Sequence, residues 1–258
     1  YVESAGGVQA VVVCIGILSM IFAAAAWFVI RDLKSPAEAN GVEDKERMTA
    51  KDFLYVVKSP ATWILGLSIF SIYTMAVTMS YFTPYITSVL GGTVAFSGIV
   101  SIIRTHGFRL LGAPFGGYLT DKIGSPSKVL IGIYIASIAT LLLFLCLPAG
   151  TAMYVFIFCM LMVGLLVYMG KGIYYAVASE LFIPRKYAAS TVGVAAALGF
   201  SPDIFLFPLA GYWLDTYQGE GYTYLFIFQI CALSAGVFGS LYALHYKKKL
   251  IKQGKANT

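Results

Sequence analysis

Long apolar stretches, separated by short polar segments, dominate the chain. A helix needs about 20 mainly apolar residues to cross a bilayer, and seven stretches provide such a run. The pattern therefore predicts seven membrane-spanning helices, at residues 7–30, 60–89, 94–119, 127–147, 152–179, 188–214 and 222–246.

The segment 31–59 is a long polar interruption between the first two spans. Its first half is rich in turn-forming residues, whereas its second half, 49–58, has the apolar and charged spacing of an amphipathic helix that Thr49 can cap. We expect a cytoplasmic linker that contains a short surface helix. A six-helix domain at 60–246 and a basic tail at 247–258 would follow it.

Two segments of the six-helix domain resemble each other. Residues 114–121 are Pro-Phe-Gly-Gly-Tyr-Leu-Thr-Asp, and residues 208–215 are Pro-Leu-Ala-Gly-Tyr-Trp-Leu-Asp. Each closes the second helix of a helix triplet, 60–147 or 152–246, and the two copies end on opposite sides of the membrane. Chance similarity is the alternative, but the shared register favours inverted-topology repeats.

Composition supports a polytopic membrane protein. Hydrophobic residues make up 59% of the chain and charged residues 12%, against roughly 45–50% and about 25% in soluble domains. The net charge of +6 is explained by topology, because Lys and Arg accumulate on the cytoplasmic side. The basic segments are 31–59, 120–126, 180–187 and 247–258, whereas 90–93, 148–151 and 215–221 contain no Lys or Arg.

This orientation predicts an outside N-terminus and a cytoplasmic C-terminus. The chain begins Tyr-Val-Glu and shows neither the basic region nor the cleavage site of a signal peptide. A first span that enters from outside without a signal suggests that an earlier part of the protein precedes it. We therefore interpret residues 1–30 as the last helix of a missing N-terminal half, which would be an intramolecular partner.

Charged residues inside spans are costly and usually mark a pathway or a binding site. Arg104 shares a helix face with Ser101, and Lys171 shares one with Tyr168 and Tyr175, by their spacing of three, four or seven residues. We expect these residues and Tyr81 to contact an anionic substrate. The alternatives are a structural ion pair for Arg104, snorkelling for Lys171 and simple packing for the tyrosines.

Depth along the spans suggests how the charges are arranged. At 1.5 Å per residue, Arg104 and Asp203 lie about 21 and 22 Å from the inner ends of their spans, so the two are expected to pair when the site is empty. Asp203 follows Pro202, which should interrupt the helix. Arg109 is interpreted as structural, and His106 as a core histidine in preference to a proton site.

Other residue types carry less chemistry. The four cysteines lie in apolar runs and are interpreted as small buried side chains. Glu180, at the end of its span, is expected to pair with a loop cation such as Arg185. We find no nucleophile elbow, zinc-protease motif, phosphate loop or metal-spaced cluster. The sequence therefore predicts no enzyme, no cofactor, no metal and no nucleic-acid partner.

The loop after the third predicted span resembles the signature loop of the major facilitator superfamily. Gly117, Asp121, Lys122 and Gly124 match it, whereas Ser125-Pro126 stands where the family has a basic pair. The resemblance implies an all-α bundle of twelve helices in two six-helix halves, of which this chain supplies helices 6–12. Peripheral helices 6, 9 and 12 would be the spans 7–30, 127–147 and 222–246, which have no charge in their interiors.

A second resemblance concerns substrate class. The stretch from Lys171 to Tyr174 with Glu180, and the stretch from Gly193 to Phe205, are similar to bacterial sugar-phosphate and organic-anion permeases. We therefore expect a secondary active transporter of a small organic anion in a bacterial inner membrane, working by alternating access. The alternative is a non-transporting sensor or scaffold of the same fold. The expected coupling or gating residues are Asp203, Asp121, Lys122, Gly117, Gly124, Glu180 and Arg185.

Overall fold

The computed structural model describes residues 2–29, 49–148 and 151–253. Contacts divide the chain into two units, Tyr1–Arg47 and Met48–Thr258. The first unit contains helix α1, Val2–Val29, which at 1.5 Å per residue is about 42 Å long and is apolar enough to cross a membrane. Most of the predicted linker, residues 30–48, and the end of the predicted tail, 254–258, lie outside the described residues.

The second unit is a bundle of helices. A short helix, α2 (Ala50–Lys58), comes first, and six long helices follow, each apolar enough to span a membrane. All seven predicted spans are thus confirmed as helices of sufficient length. The six are α3 (Pro60–Ser88), α4 (Val94–Ile123), α5 (Pro126–Cys146), α6 (Met153–Glu180), α7 (Arg185–Tyr217) and α8 (Gly219–Lys252).

Four of the long helices contain irregular turns. A 3₁₀ turn, Met79–Tyr81, interrupts α3, and a π-helical turn, Ile103–Gly107, interrupts α4. The end of α6, Tyr174–Glu180, is also 3₁₀. In α7 the regular helix stops at Gly199 and restarts at Pro202, because proline has no N–H to donate to the preceding turn.

The predicted surface helix is present as α2. Thr49 and Asp52 form a reciprocal capping box, which satisfies two of the backbone donors left open at a helix start. The Val56 carbonyl accepts a hydrogen bond from the Thr62 hydroxyl at 2.6 Å, so α2 is fixed to the first turn of α3. Its position at the membrane surface stays a prediction.

The helix contacts follow the predicted pair of triplets, α3–α5 and α6–α8. The first helix of each triplet packs against the second and third helices of the other: α3 against α7 and α8, and α6 against α4 and α5. Helices α5 and α8 also pack together. This exchange of equivalent contacts is the arrangement expected for inverted repeats.

Glycines allow α4 and α6 to approach closely. A Cβ on Gly112 would lie 2.7 Å from the Cβ of Tyr168, and one on Gly116 would lie 2.5 Å from the carbonyl oxygen of Met169. Small residues at such crossings let helix backbones touch, as is usual in membrane bundles. The close contact fixes the depth of α4 relative to α6, and these two helices carry Arg104 and Lys171.

Exposed surface is unevenly distributed among the helices. Helices α5 and α8, which were expected at the lipid-facing periphery, are more buried in this bundle than α4 and α7, and their peripheral position stays a prediction. An apolar helix suits a protein interior as well as lipid, and glycine lets α8 approach α3 and α5, since a Cβ on Gly236 would meet Ser71 and Tyr134. The broad exposed faces belong to α4 and α7.

Candidate functional site

Arg104 is buried inside the bundle, with a relative exposure of 2%. It lies in the π turn of α4, a type of irregularity that is frequent at functional sites. One terminal nitrogen, Nη2, donates to the hydroxyls of Thr83 and Ser101, each at 3.4 Å, and the guanidinium lies 5.5 Å from the Phe82 ring centroid. The Arg104 side chain is thus held by neutral groups.

Two further nitrogens of Arg104 have no partner. Nε and Nη1 are buried, and neither makes a hydrogen bond with the described residues. A buried donor left without a partner costs about 1–3 kcal/mol, and more when it carries charge. The Arg104 guanidinium therefore has unused capacity to bind an acceptor or an anion.

A glycine makes room for Arg104. A Cβ on Gly164 of α6 would lie 2.6 Å from Cγ of Arg104, so any larger residue would displace the arginine stem. Gly164 was not among the predicted site residues, although it lies one helical turn before Tyr168. The sequence did contain a signal for Gly164, because its spacing from Tyr168 and Lys171 puts the three residues on one helix face.

Lys171 lies among aromatic rings on α6. Its Nζ is 5.3 Å from the ring centroid of Tyr73 and 5.9 Å from that of Tyr168, distances typical of cation–π contacts. Arg109 and Asp203 are close enough for their charges to act on it. Among residues 49–148 and 151–253, Lys171 has no hydrogen-bond or ion-pair partner.

Asp203 occupies the first turn of the second part of α7, where the helix dipole favours a negative charge. Its Oδ2 accepts a 2.6 Å hydrogen bond from the Tyr73 hydroxyl. The expected pair between Asp203 and Arg104 is therefore not formed. Helix α4 packs mainly on α6 and α7 mainly on α3, and the π turn directs Arg104 to Ser101 and Thr83.

The predicted tyrosines occupy different environments. Tyr168 is buried beside Lys171, whereas Tyr175 is 40% exposed and has Tyr174 as its ring neighbour. The Tyr81 hydroxyl approaches the Phe207 carbonyl at 3.5 Å. The structure thus brings together Tyr168, Lys171 and Asp203 around Tyr73, but it does not place Tyr175 among them.

The predicted gating loop ends α4. Gly124 adopts a left-handed conformation with φ of 69° and donates its N–H to the Thr120 carbonyl, which is the usual glycine termination of a helix. Asp121 and Lys122 are exposed, and neither has a hydrogen-bond or ion-pair partner within the described ranges. A Cβ on Gly117 would meet no atom within 4 Å, so its role stays a prediction.

Glu180 has partners other than the one predicted. Its carboxylate accepts from the Ser125 hydroxyl at 2.7 Å, the Ser127 N–H at 3.1 Å and Lys247 Nζ at 2.9 Å. The expected pair with Arg185 is wrong, because the 3₁₀ end of α6 turns Glu180 towards the N-terminus of α5 and the end of α8. Arg185 is exposed at the start of α7.

Two other interpretations are corrected. His106 is exposed and is not a core histidine, since it lies on the opposite side of the π turn from Arg104. Of the cysteines, only Cys159 is buried, whereas Cys14, Cys146 and Cys231 are exposed. Arg109 is exposed as well.

Sequence reasoning missed several residues that organise these clusters. Tyr73 was not among the predicted site residues, and the partners Thr83 and Lys247 lie on distant elements that no local spacing connects. Asp52 was also missed, although its carboxylate accepts from the Tyr187 hydroxyl at 3.1 Å and lies 3.6 Å from Lys186 Nζ. No group of three metal-ligating side chains occurs within the part of the chain that the structure describes.

Comparison with known proteins adds family evidence. A family model described as the Major Facilitator Superfamily matches residues 2–205. The chain is 27% identical over 237 residues to the inner membrane protein YqcE of Escherichia coli (strain K12), a match that covers 90% of this chain and 55% of that protein. It is 28% identical over 237 residues to the inner membrane protein YihN of the same organism, covering 90% of this chain and 54% of that protein.

A third relative, the uncharacterized MFS-type transporter YqjV of Bacillus subtilis (strain 168), is 24% identical over 199 residues, which are 73% of this chain and 43% of that protein. The chain thus spans about half the length of the curated relatives it matches. No solved structure matches it significantly.

Proposed function

The chain belongs to the Major Facilitator Superfamily, and from this membership we propose that it acts in secondary active transport of a small organic anion by alternating access. The anion would bind between α3, α4, α6 and α7, the helices that carry Arg104, Lys171 and Asp203. Ser101, Tyr81, Tyr168 and Tyr175 would complete the lining as the bundle changes state.

The observation that carries this proposal is the buried guanidinium of Arg104 with two unpartnered nitrogens. A carboxylate or phosphate can accept two parallel N–H bonds from such a group. Its binding would offset the cost of leaving those donors buried. Lys171 supplies a second positive charge, and its ammonium lies against the rings of Tyr73 and Tyr168.

Topology and partners complete the proposal. The C-terminus would face the cytoplasm, where Lys and Arg accumulate. The membrane would be a bacterial inner membrane, since two relatives carry that description. The broad exposed faces of α4 and α7 would pack against a second six-helix half, which would supply the other wall of the pathway.

The test is transport by the natural full-length protein in proteoliposomes. Thermal-shift screening with inorganic phosphate, acetate, lactate and gluconate, with glucose and lysine as neutral and cationic comparisons, selects the anion for uptake. We expect stabilisation by at least one anion, and saturable uptake that Arg104→Gln weakens through KM. Binding without uptake would favour a sensor, and uptake of glucose or lysine alone would overturn the anion proposal.

A further inference from the structure

Lys171 and Asp203 are oppositely charged neighbours that do not pair. Their charges interact, yet no ion pair or hydrogen bond joins them in the described bundle. Lys171 is partly buried and Asp203 is exposed in the bundle, and opposite charges at close range attract each other. A contact that holds the carboxylate in another direction would keep the two groups apart.

Tyr73 of α3 lies between the two groups. Its hydroxyl donates to Asp203 Oδ2 at 2.6 Å, within the short range typical of a hydrogen bond to a charged carboxylate. The Tyr73 ring lies 5.3 Å from Lys171 Nζ. The edge-to-face contact with Phe200, at 4.6 Å between centroids, fixes the ring next to the break in α7.

We propose that Tyr73 is a positioning residue, whose hydroxyl holds the Asp203 carboxylate away from Lys171 and so keeps the Lys171 ammonium open to the anionic group of the substrate. The substrate's role in this proposal rests on the proposed function, whereas the separation of the two charges does not. Tyr73 thereby links the three helices α3, α6 and α7 at one point.

The variant Tyr73→Phe removes only the hydroxyl. The ring under Lys171 and its contact with Phe200 remain, so the expected change is that Asp203 turns to pair with Lys171. An ammonium in an ion pair reacts more slowly with electrophiles, which need the neutral amine. In the double variant Tyr73→Phe/Asp203→Asn no carboxylate is left to pair, so Lys171 should become reactive again.

The experiment measures the rate of reductive methylation of Lys171 with formaldehyde and cyanoborohydride, followed by mass spectrometry of the natural full-length protein. We expect a rate about fivefold lower in Tyr73→Phe, the effect of one modest ion pair, and recovery in the double variant. Tyr154→Phe is the matched control, because the same hydroxyl is removed from a side chain that is 74% exposed.

An unchanged rate in Tyr73→Phe would overturn the proposal, as would a lowered rate that Asp203→Asn does not restore. A native Lys171 that resists methylation altogether would also contradict it, since the ammonium would then not be open. The labelling needs no substrate. It therefore fails or succeeds independently of the Arg104→Gln uptake test, which concerns the proposed function.

Discussion

At the scale of single residues, the chain concentrates its unusual chemistry in a few buried polar groups. Arg104 and Glu180 are both buried and charged, but they differ in how their hydrogen-bonding capacity is used. Three donors surround the Glu180 carboxylate, which suits a structural role. Arg104 keeps two nitrogens free, which suits a binding role.

Replacing Arg104 by lysine should impair anion binding severely. Lysine keeps the charge but loses the planar fork that matches a carboxylate or phosphate. Losing a charge-assisted interaction of about 1.5–3 kcal/mol corresponds to a rise in KM of roughly 10- to 150-fold. Uptake kinetics in proteoliposomes check this, with Lys128→Arg, an exposed side chain at the start of α5, as control. Asp203→Asn should raise KM less. An unchanged affinity for the anion in Arg104→Gln would mean that Arg104 has a structural role and does not bind the substrate.

Replacing Glu180 by glutamine should destabilise the bundle. The uncharged glutamine amide cannot balance the positive charge of Lys247. Its NH2 group is a donor, so it cannot accept the hydrogen bonds that Ser125 and Ser127 donate to the carboxylate. A loss of about 2 kcal/mol would lower Tm by about 4–8 °C in a protein of this size, measured by thermal unfolding in detergent. Glu220→Gln, at an exposed position of α8, is the control. A native Tm in Glu180→Gln would show that the three hydrogen bonds contribute little.

At the scale of helices, the sequence predicts the regular parts and only some of the irregular ones. The break in α7 follows from Pro202, which cannot donate a hydrogen bond. The π turn of α4 has no comparable local cause, because 103–107 contains no proline and its one glycine is compatible with a regular helix. The π turn packs against α6, a contact that sequence spacing alone does not reveal.

The docking of α2 onto α7 should depend on Asp52. Hydrogen bonds from the Thr49 N–H and hydroxyl, helped by Tyr187 and Lys186, lower the pKa of the Asp52 carboxyl from 3.8 to about 2. Because the folded pKa is the lower one, this contribution is present above about pH 4 and lost as the pH falls towards 2. Docking should therefore be constant between about pH 5 and 8.

The variant Asp52→Asn tests this at neutral pH. We expect faster amide hydrogen exchange across α2, residues 50–58, because the capping box and the bond to Tyr187 are both weakened. Lys51→Gln, exposed on the same helix, should leave the exchange unchanged. Identical protection in Asp52→Asn and the native protein would mean that the other contacts of α2, among them the hydrogen bond from the Thr62 hydroxyl to the Val56 carbonyl, are enough to hold it.

The loop that ends α4 should affect the rate of transport more than binding. If Asp121 steadies one access state, Asp121→Asn should reduce turnover several-fold and leave KM within a few-fold, because the side chain is remote from Arg104. Asp215→Asn is a matched control at the equivalent position of the second repeat. Equal turnover in Asp121→Asn and the native protein would mean that Asp121 has no gating role and only belongs to a solvated turn.

At the scale of the whole bundle, the six-helix arrangement was largely predictable. Span number follows from apolar length, and the paired triplets follow from the repeated Pro-x-small-Gly-Tyr segments. The sequence did not predict which side chains meet across helices, as the separation of Arg104 and Asp203 illustrates. Depth along each helix can be counted from the sequence, whereas rotation about the helix axis depends on tertiary packing.

A polypeptide of these 258 residues alone should not catalyse transport. Helices α4 and α7 present exposed side chains such as Leu110 (76% exposed) and Ile204 (79% exposed) on faces that also carry Arg109 and Asp203. Alternating access needs two walls that close on either side of the substrate, and these helices form one. Counterflow in proteoliposomes, compared with the natural full-length protein, measures this, with light scattering to establish the oligomeric state. Transport by a monomer would refute the prediction, whereas transport by a dimer would identify a second copy as the other wall.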